Sequence, residues 1–463
     1  MKNNSKNQGV DLFTPMAEIF HEVCLLSGRA LFEIGKHGVK RIFNIEDDMQ
    51  KIERKSLFVK KYTNNPASIG IDTRSKKDFL LKDIDFSQHS FIVGASGFGK
   101  TNLITILQER YLKRGEPIIF FDPKGDLEAL TSFKKLCESY GQTCHIFSEA
   151  YDESIKLNPV LDGTISQVVD RIMSAFEWSE PYYEDNCTQA LRASLSELED
   201  LERNFSLKNI YDVLKEKHNT KETVGLIVKL ENIIESDFGR LLSGTKEDYT
   251  LEKIREERSC LYIGLSTQGY GKTAMALGKI FLGELLFNSY SKLRSQVNSK
   301  VSKENPIAVF FDEFGALVTP RFIELENKCR GAGIDLTMAV QTVADIDSIN
   351  PELTIQVMEN CSNWFILKQR VSSSAEMLSE AIGTILSKKQ TEMTENGEKA
   401  GRGTEREVHE LAVHPDIIKN LRIGQCVLLR QHPHKINHIN IRKKEEVIRN
   451  NTKTNEIRSK GVL

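Results

Sequence analysis

Nowhere in the 463 residues is there the run of roughly 18 to 20 uninterrupted apolar residues that a membrane-spanning helix needs, and the opening MKNNSKNQGVDLF lacks a signal peptide's apolar core. These absences predict a chain that stays in the cytoplasm. Eight cysteines run from Cys24 to Cys426 without a CxxC pair or a Cys/His cluster at metal-ligand spacing, which argues against a zinc module and fits a reduced compartment. No Ser/His/Asp spacing supports nucleophilic catalysis, and single histidines such as His145 and His409 have no partner for acid/base work. A formal net charge of -2 excludes a chain coated in positive charge for static nucleic-acid binding, while a pore or groove can still concentrate lysines locally. What remains, 40% hydrophobic and 28% charged residues, describes a globular protein long enough for about two to four domains.

Periodicity divides the chain into five parts. Residues 1–85 read as a helical entry segment followed by short strands at 56–59 and 79–84. Within it, Met16, Ile19, Phe20, Val23, Leu26, Ala30 and Ile34 form an apolar helical stripe, followed by Lys36, Lys40 and Arg41. That stripe suits packing on the core or a partner, or contact with a membrane surface. Residues 86–163 alternate strand and helix: strands at 90–93, 117–121 and 143–147, a helix carrying Leu103, Ile106, Leu107 and Tyr111, and another near 127–140. Residues 164–257 read as helical throughout and are acidic (Glu197, Glu199, Asp200, Glu202, Glu231, Glu235), which predicts an all-helical subdomain inserted into the sheet protein. Strands resume in 258–445, at 260–264, 307–311, 335–340 and 363–367, completing a sheet of roughly seven. Residues 388–405 lack apolar periodicity and predict a mobile loop, 425–430 and 438–442 predict a hairpin, and 446–463 form a tail. The predicted fold class is α/β: a RecA-like P-loop core with a mainly parallel sheet and an inserted all-helical subdomain.

Chemistry concentrates at strand ends. Gly94-Ala95-Ser96-Gly97-Phe98-Gly99-Lys100-Thr101 satisfies G-x-x-x-x-G-K-[ST] between a predicted strand and a predicted helix. Glycines permit the turn, backbone N–H groups surround phosphates, Lys100 reaches the β/γ oxygens of ATP, and the Thr101 hydroxyl ligates Mg2+. The apolar run Ile307-Ala308-Val309-Phe310-Phe311 ends in Asp312, placed to hold Mg2+ through water, and Glu313, placed to polarise the attacking water. Gln341 closes the next strand as a γ-phosphate sensor or a cap on the following helix. Arg330 and Arg370 are candidate arginine fingers or surface ion-pair partners. Ser266-Thr267-Gln268-Gly269-Tyr270-Gly271-Lys272-Thr273 imitates a second phosphate turn but has Ser266 where the first glycine belongs, and reads as a helix start.

In their order and wording these motifs resemble the type IV coupling proteins of bacterial conjugation, the TraD/TraG/VirD4-like group within the FtsK/HerA ATPases. The resemblance spans about residues 75–445 and rests on the phosphate turn, Phe121-Asp122-Pro123-Lys124-Gly125-Asp126-Leu127, Leu157-Asn158-Pro159, Phe311-Asp312-Glu313-Phe314, Gly331-Ala332-Gly333-Ile334 and Val340-Gln341-Thr342. It implies a ring hexamer at the inner face of the cell membrane. Such a ring couples hydrolysis of ATP with Mg2+ to export of relaxase-bound single-stranded DNA through a type IV secretion channel. It also implies that the helical insertion admits substrate and that Lys124 orients phosphate or a neighbouring subunit. Relatives with transmembrane helices at the N-terminus differ from this chain, so attachment through a small membrane partner is expected. A HerA- or VirB4-like ATPase acting on DNA ends or polypeptide, and a nucleotide-gated docking platform, are the alternatives.

Overall fold

Apolar runs of four or five residues, too short for a helix and too continuous for one-sided burial, become the central strands. Ser90–Val93, Ile118–Asp122, Cys260–Gly264 and Ile307–Phe311 are buried at every position. The computed structural model describes residues 63, 65, 67–82, 88–242, 245, 248–298, 305–395 and 398–443. The chain divides into two compact units, Met1–Lys61 and Tyr62–Leu463, and every described residue belongs to the second. The expected helix at 16–34, strand at 56–59 and tail at 446–463 lie outside the described residues.

In chain order the strands are β1 (Gly70–Asp72), β2 (Asp78–Phe79), β3 (Ser90–Val93), β4 (Ile118–Asp122), β5 (Cys144–Phe147), β6 (Cys260–Gly264), β7 (Ile307–Phe311), β8 (Ile334–Val340), β9 (Asn363–Ile366), β10 (Thr384–Glu395), β11 (Glu398–Leu411), β12 (Gln425–Gln431) and β13 (His434–Ile441). Eleven of them form one sheet in the order β2-β1-β13-β12-β9-β3-β8-β7-β4-β6-β5. Pairing is parallel from β9 through β5. It is antiparallel at the other edge, where β12 joins β9 and the β12–β13 hairpin carries β1 and β2. The parallel part is the expected sheet, with the phosphate turn's strand at an interior position.

Alternate residues of each strand face opposite layers. Ile118, Phe120, Ile92 and Phe310 pack with α1 (Lys100–Lys113) and α2 (Leu127–Ser139). Ile119, Phe121, Phe91 and Phe311 pack on the other side, with the helical insertion and the helices that follow it. The insertion comprises α3 (Ile165–Met173), α4 (Pro181–Asp200), α5 (Leu207–Lys217), α6 (Val224–Ile234) and α7 (Leu251–Glu256). Local signals start these helices: a Thr164/Gln167 capping box opens α3, Pro181 is in the first turn of α4, and Ser206 caps α5. The long helix α8 (Thr267–Asn298) joins insertion to sheet. Buried Arg171 of α3 lies over Phe287 of α8 at 5.1 Å and donates to the Pro159 carbonyl. That approach requires Gly283, where a Cβ would stand 2.6 Å from the Arg171 Cγ.

Two expectations are corrected. Residues 388–395 and 398–405 belong to a two-stranded antiparallel pair, β10–β11, whose register runs from Thr384 opposite Leu411 to Glu395 opposite Glu398, with an irregularity between Glu392 and Thr394. Missing apolar periodicity means only that the sequence carries no alternating apolar face there. It does not prevent two polar strands from satisfying each other's backbone groups. The strand expected at 79–84 is, among the described residues, only the short β2.

Candidate active site

β3 delivers Gly94 to the carboxyl edge of the parallel sheet, the edge where α/β proteins hold ligands. Its N–H donates to the Val340 carbonyl of β8 at 3.1 Å, and the Ala95 N–H donates to the Lys368 carbonyl just past β9 at 3.0 Å, so both neighbouring strands hold the turn. A Cβ on Gly94 would come within 2.6 Å of the Leu367 Cβ, and Gly97 and Gly99 take φ of 83° and 102°. Gly99 opens α1 without a side-chain cap, and the first turn of α1 holds no acidic residue to offset the positive end of the helix. From behind, Gly424 N–H donates to the Phe98 carbonyl at 3.1 Å and Asn102 Nδ2 to the Arg442 carbonyl at 2.8 Å, so the β12–β13 hairpin braces the turn. Ser96 and Thr101 are exposed, and a 540 Å³ cleft opens beside Thr101 between α1 and α2.

Lys100 lies inside the turn at 8% exposure, and among the described residues its Nζ has no hydrogen-bond partner. Burial pulls its pKa below the ordinary lysine value, against the attraction of Asp312 and Glu313 at the end of β7. Burial pushes the Asp312 carboxyl up, with Lys100 opposing it. Glu313 occupies the left-handed region (φ 52°, ψ 47°), a conformation that non-glycine residues seldom adopt. Its Oε1 is 2.5 Å from Lys124 Nζ and also accepts from Gln341 Nε2. Burial works to raise the Glu313 pKa, yet the hydrogen bonds from Lys124 and Gln341 hold it below the usual glutamate value. Lys124 is raised in turn: burial opposes its charge, and the bond to Glu313 outweighs that. Gln341 therefore turns its side chain to the acid, while its N–H and that of Thr342 donate to Asp345 at 3.0 Å each.

Lys124 reaches this position because Asp122, at the end of β4, ties down the loop that follows. The Asp122 carboxylate accepts from the N–H groups of Lys124 (2.9 Å) and Asp126 (3.1 Å) and from the buried Tyr262 hydroxyl (2.6 Å). Tyr262 had no sequence signal; Asp122 could have been found, as the first acid of the Asp-Pro-Lys-Gly-Asp segment. Residues 266–273 do start a helix. Ser266 has φ 49°, Thr267 N–H donates to the Pro123 carbonyl at 2.7 Å, and α8 breaks at Gly271 (φ 49°, ψ −118°).

The two arginines lie apart. Arg330 follows α9 (Pro320–Cys329) and precedes β8, whose seven residues place it roughly 20 Å along the strand from the phosphate-turn edge. Arg370 is exposed beside its own phosphate turn, 5.6 Å from the Phe98 ring centre, with Lys368 at 5.1 Å. Lys100, Lys124, Asp312, Glu313 and Gln341 thus share one edge with Arg370, and Arg330 does not.

A family model described as the central domain of the helicase HerA matches residues 80–310, and one described as the TraM recognition site of TraD and TraG matches residues 306–422. Among solved structures, the plasmid coupling protein TrwB in complex with ADP and Mg2+ is similar at a TM-score of 0.60 and 13% identity, over 85% of this chain and 92% of that one. An unbound form of TrwB gives 0.60 at 14% identity, over 78% and 86%. VirB4 of Thermoanaerobacter pseudethanolicus gives 0.57 at 15% identity, over 83% and 99%. At these identities the likeness speaks for the fold. An uncharacterized protein of Mycoplasma pneumoniae is 38% identical over 47 residues, which is 10% of this chain and 39% of that protein's length. The two family matches meet at β7, and together they cover both the phosphate turn and the acidic strand end. The chain belongs to the TraD/TraG/VirD4-like coupling proteins, ATP-hydrolysing enzymes of conjugative DNA transfer within the FtsK/HerA class of P-loop ATPases.

Proposed function

We propose that this chain binds ATP at residues 94–101 and uses its hydrolysis to move single-stranded DNA, or a relaxase–DNA complex, to a type IV secretion channel. The observation that carries the reading is Lys100: a buried ammonium without a hydrogen-bond partner among the described residues, beside two acids, fits a phosphate oxygen and fits little else. Thr101 and Asp312 are the residues that would hold Mg2+, which supplies charge neutralisation at the β/γ oxygens. The turn's N–H groups and Lys100 bind and orient the triphosphate. Glu313, kept ionised by Lys124 and Gln341, takes the proton from the attacking water once Lys124 turns toward phosphate. Gln341, bonded to Glu313 and backed by Asp345, reports the state of the γ-phosphate to β8.

The working assembly in this reading is a homohexamer peripheral to the inner face of the membrane. Arg330 or Arg370 serves the neighbour's site, and a small membrane partner anchors the ring through residues before 62. Among the described residues no helix is long and apolar enough to cross a membrane. Single-stranded-DNA-stimulated ATP hydrolysis tests the proposal. Hydrolysis that is indifferent to DNA and to protomer concentration would reject it.

A further inference from the structure

The lookalike segment at 266–273 opens onto a groove that the ATP site does not use. This groove, of about 270 Å³, lies between α6 and the start of α8 and is lined by Lys229, Lys272, Lys279, Asn232 and Thr273, with Phe176 among its apolar walls. Lys272 and Lys279 are two helical turns apart on one face of α8. Lys229 is fixed from α6: its Nζ donates to the Glu177 carbonyl at 2.6 Å and stands 3.9 Å from the Trp178 ring centre.

Elsewhere in the insertion, Lys208 pairs with Asp212, Lys215 with Glu231 and Lys217 with Glu197. Among the described residues Lys272 and Lys279 have no hydrogen-bond or ion-pair partner. One carboxylate, the exposed Glu177, lies among the groove's residues. Burial lowers the Lys229 pKa; Cys187 and Glu177 oppose this, and the positive charge of Lys272 adds to it by repulsion. Bound anion would relieve that repulsion.

We infer that the Lys229, Lys272 and Lys279 groove is a second phosphate-binding site, separate from the turn at 94–101. Lysines bind phosphate as point charges, and Asn232 and Thr273 add neutral donors. Because Ser266 replaces the first glycine and the segment is helical on both sides of Gly271, no loop wraps a triphosphate. The site takes one phosphate group, from a nucleic-acid backbone or from a free nucleotide. The first source rests on the DNA-handling proposal above, and the second does not.

The test uses the full chain carrying Lys100→Ala, so that the phosphate turn contributes little. Three probes are titrated: fluorescein-labelled oligodeoxythymidylate, a fluorescent ATP analogue, and polyglutamate as a carboxylate polyanion. Lys272→Gln/Lys279→Gln should weaken binding by about tenfold at low salt. For the oligonucleotide it should also reduce the slope of log affinity against log salt by about 1.4, at roughly 0.7 per lysine. Lys135→Gln/Lys156→Gln, an equal charge loss at exposed positions outside the groove, should leave binding unchanged, and Lys→Arg at the groove positions should retain it. Loss confined to the oligonucleotide or to the nucleotide assigns the source. Equal loss in both double variants, no binding of either phosphate probe, or polyglutamate bound as tightly with the same lysine dependence overturns the site. Stimulation of hydrolysis by DNA, measured with Lys100 intact, tests the translocation proposal separately.

Discussion

Replacing Lys100 with methionine should stabilise the ligand-free protein and abolish its response to ATP. Methionine keeps the length of the side chain and removes a buried ammonium that has no hydrogen-bond partner among the described residues. Leaving a buried polar group unsatisfied costs about 1–3 kcal/mol, and more when it is charged. Part of that cost is already offset by Asp312 and Glu313, whose charges favour the ammonium. Without Lys100, Asp312 takes up a proton more readily, since burial already pushes it that way. The net gain should be about 1–2 kcal/mol. With an unfolding entropy near 2.1 cal/mol/K per residue, 1 kcal/mol corresponds to about 1 °C in a unit of this size, so Tm should rise by about 1–2 °C. ATP at about a hundredfold its Kd should raise the parent's stability by about 2.7 kcal/mol and leave the variant's unchanged. Thermal melts of both proteins with and without Mg·ATP read both effects. A variant that melts below the parent without nucleotide would show that the two acids hold Lys100 at a net gain, and a surviving ATP response would remove Lys100 from the phosphate site.

Glu313→Gln should retain ATP binding and lower turnover by about 10²-fold or more, trapping unhydrolysed nucleotide in filter-binding assays; an unmodified rate would end its assignment as the base. Lys124→Ala removes a bond that lowers the Glu313 pKa, so the acid limb of the kcat/KM profile should move to higher pH, and an unmoved limb would refute the coupling. Buried Glu326, raised by burial from 4.5 to about 8, stays protonated in the folded state across a window in which the unfolded chain has lost its proton. Stability should therefore fall as pH rises from about 4.5 to about 8, and Glu326→Gln should flatten that slope in denaturant titrations. Lys100→Ala subunits that carry both arginines should restore hydrolysis to Arg330→Ala or Arg370→Ala subunits when mixed; failure of both mixtures, with co-assembly verified, would return the two arginines to structural roles.

Much of the architecture was legible because it depends on neighbours in sequence. The buried runs at 90–93 and 307–311, the glycines that permit φ of 83° and 102° in the phosphate turn, and the caps at Thr164 and Ser206 all act over a few residues. The helical insertion was readable for the same reason, since periodicity is a local property. Residues 388–395 and 398–405 pair as strands where a loop is expected, because a polar strand pair leaves no mark in periodicity. Its evidence lies in the pairing of one strand with another.

The clamp on Glu313 belongs wholly to tertiary structure. Lys124, Glu313 and Gln341 come from the ends of β4, β7 and β8, and they meet because the sheet places these strands side by side in the order β8-β7-β4. The same holds for Asp122 and Tyr262, for Arg370 against Phe98, and for the lysines that α6 and α8 bring to one groove. The sequence by itself determined which residue types stand at each strand end and which turn precedes α1, because turn and strand preferences are set by short-range sterics and hydrogen bonding. Only the tertiary structure decided which of those ends touch, because strand order is chosen by burial of whole faces across hundreds of residues, and no local spacing encodes it.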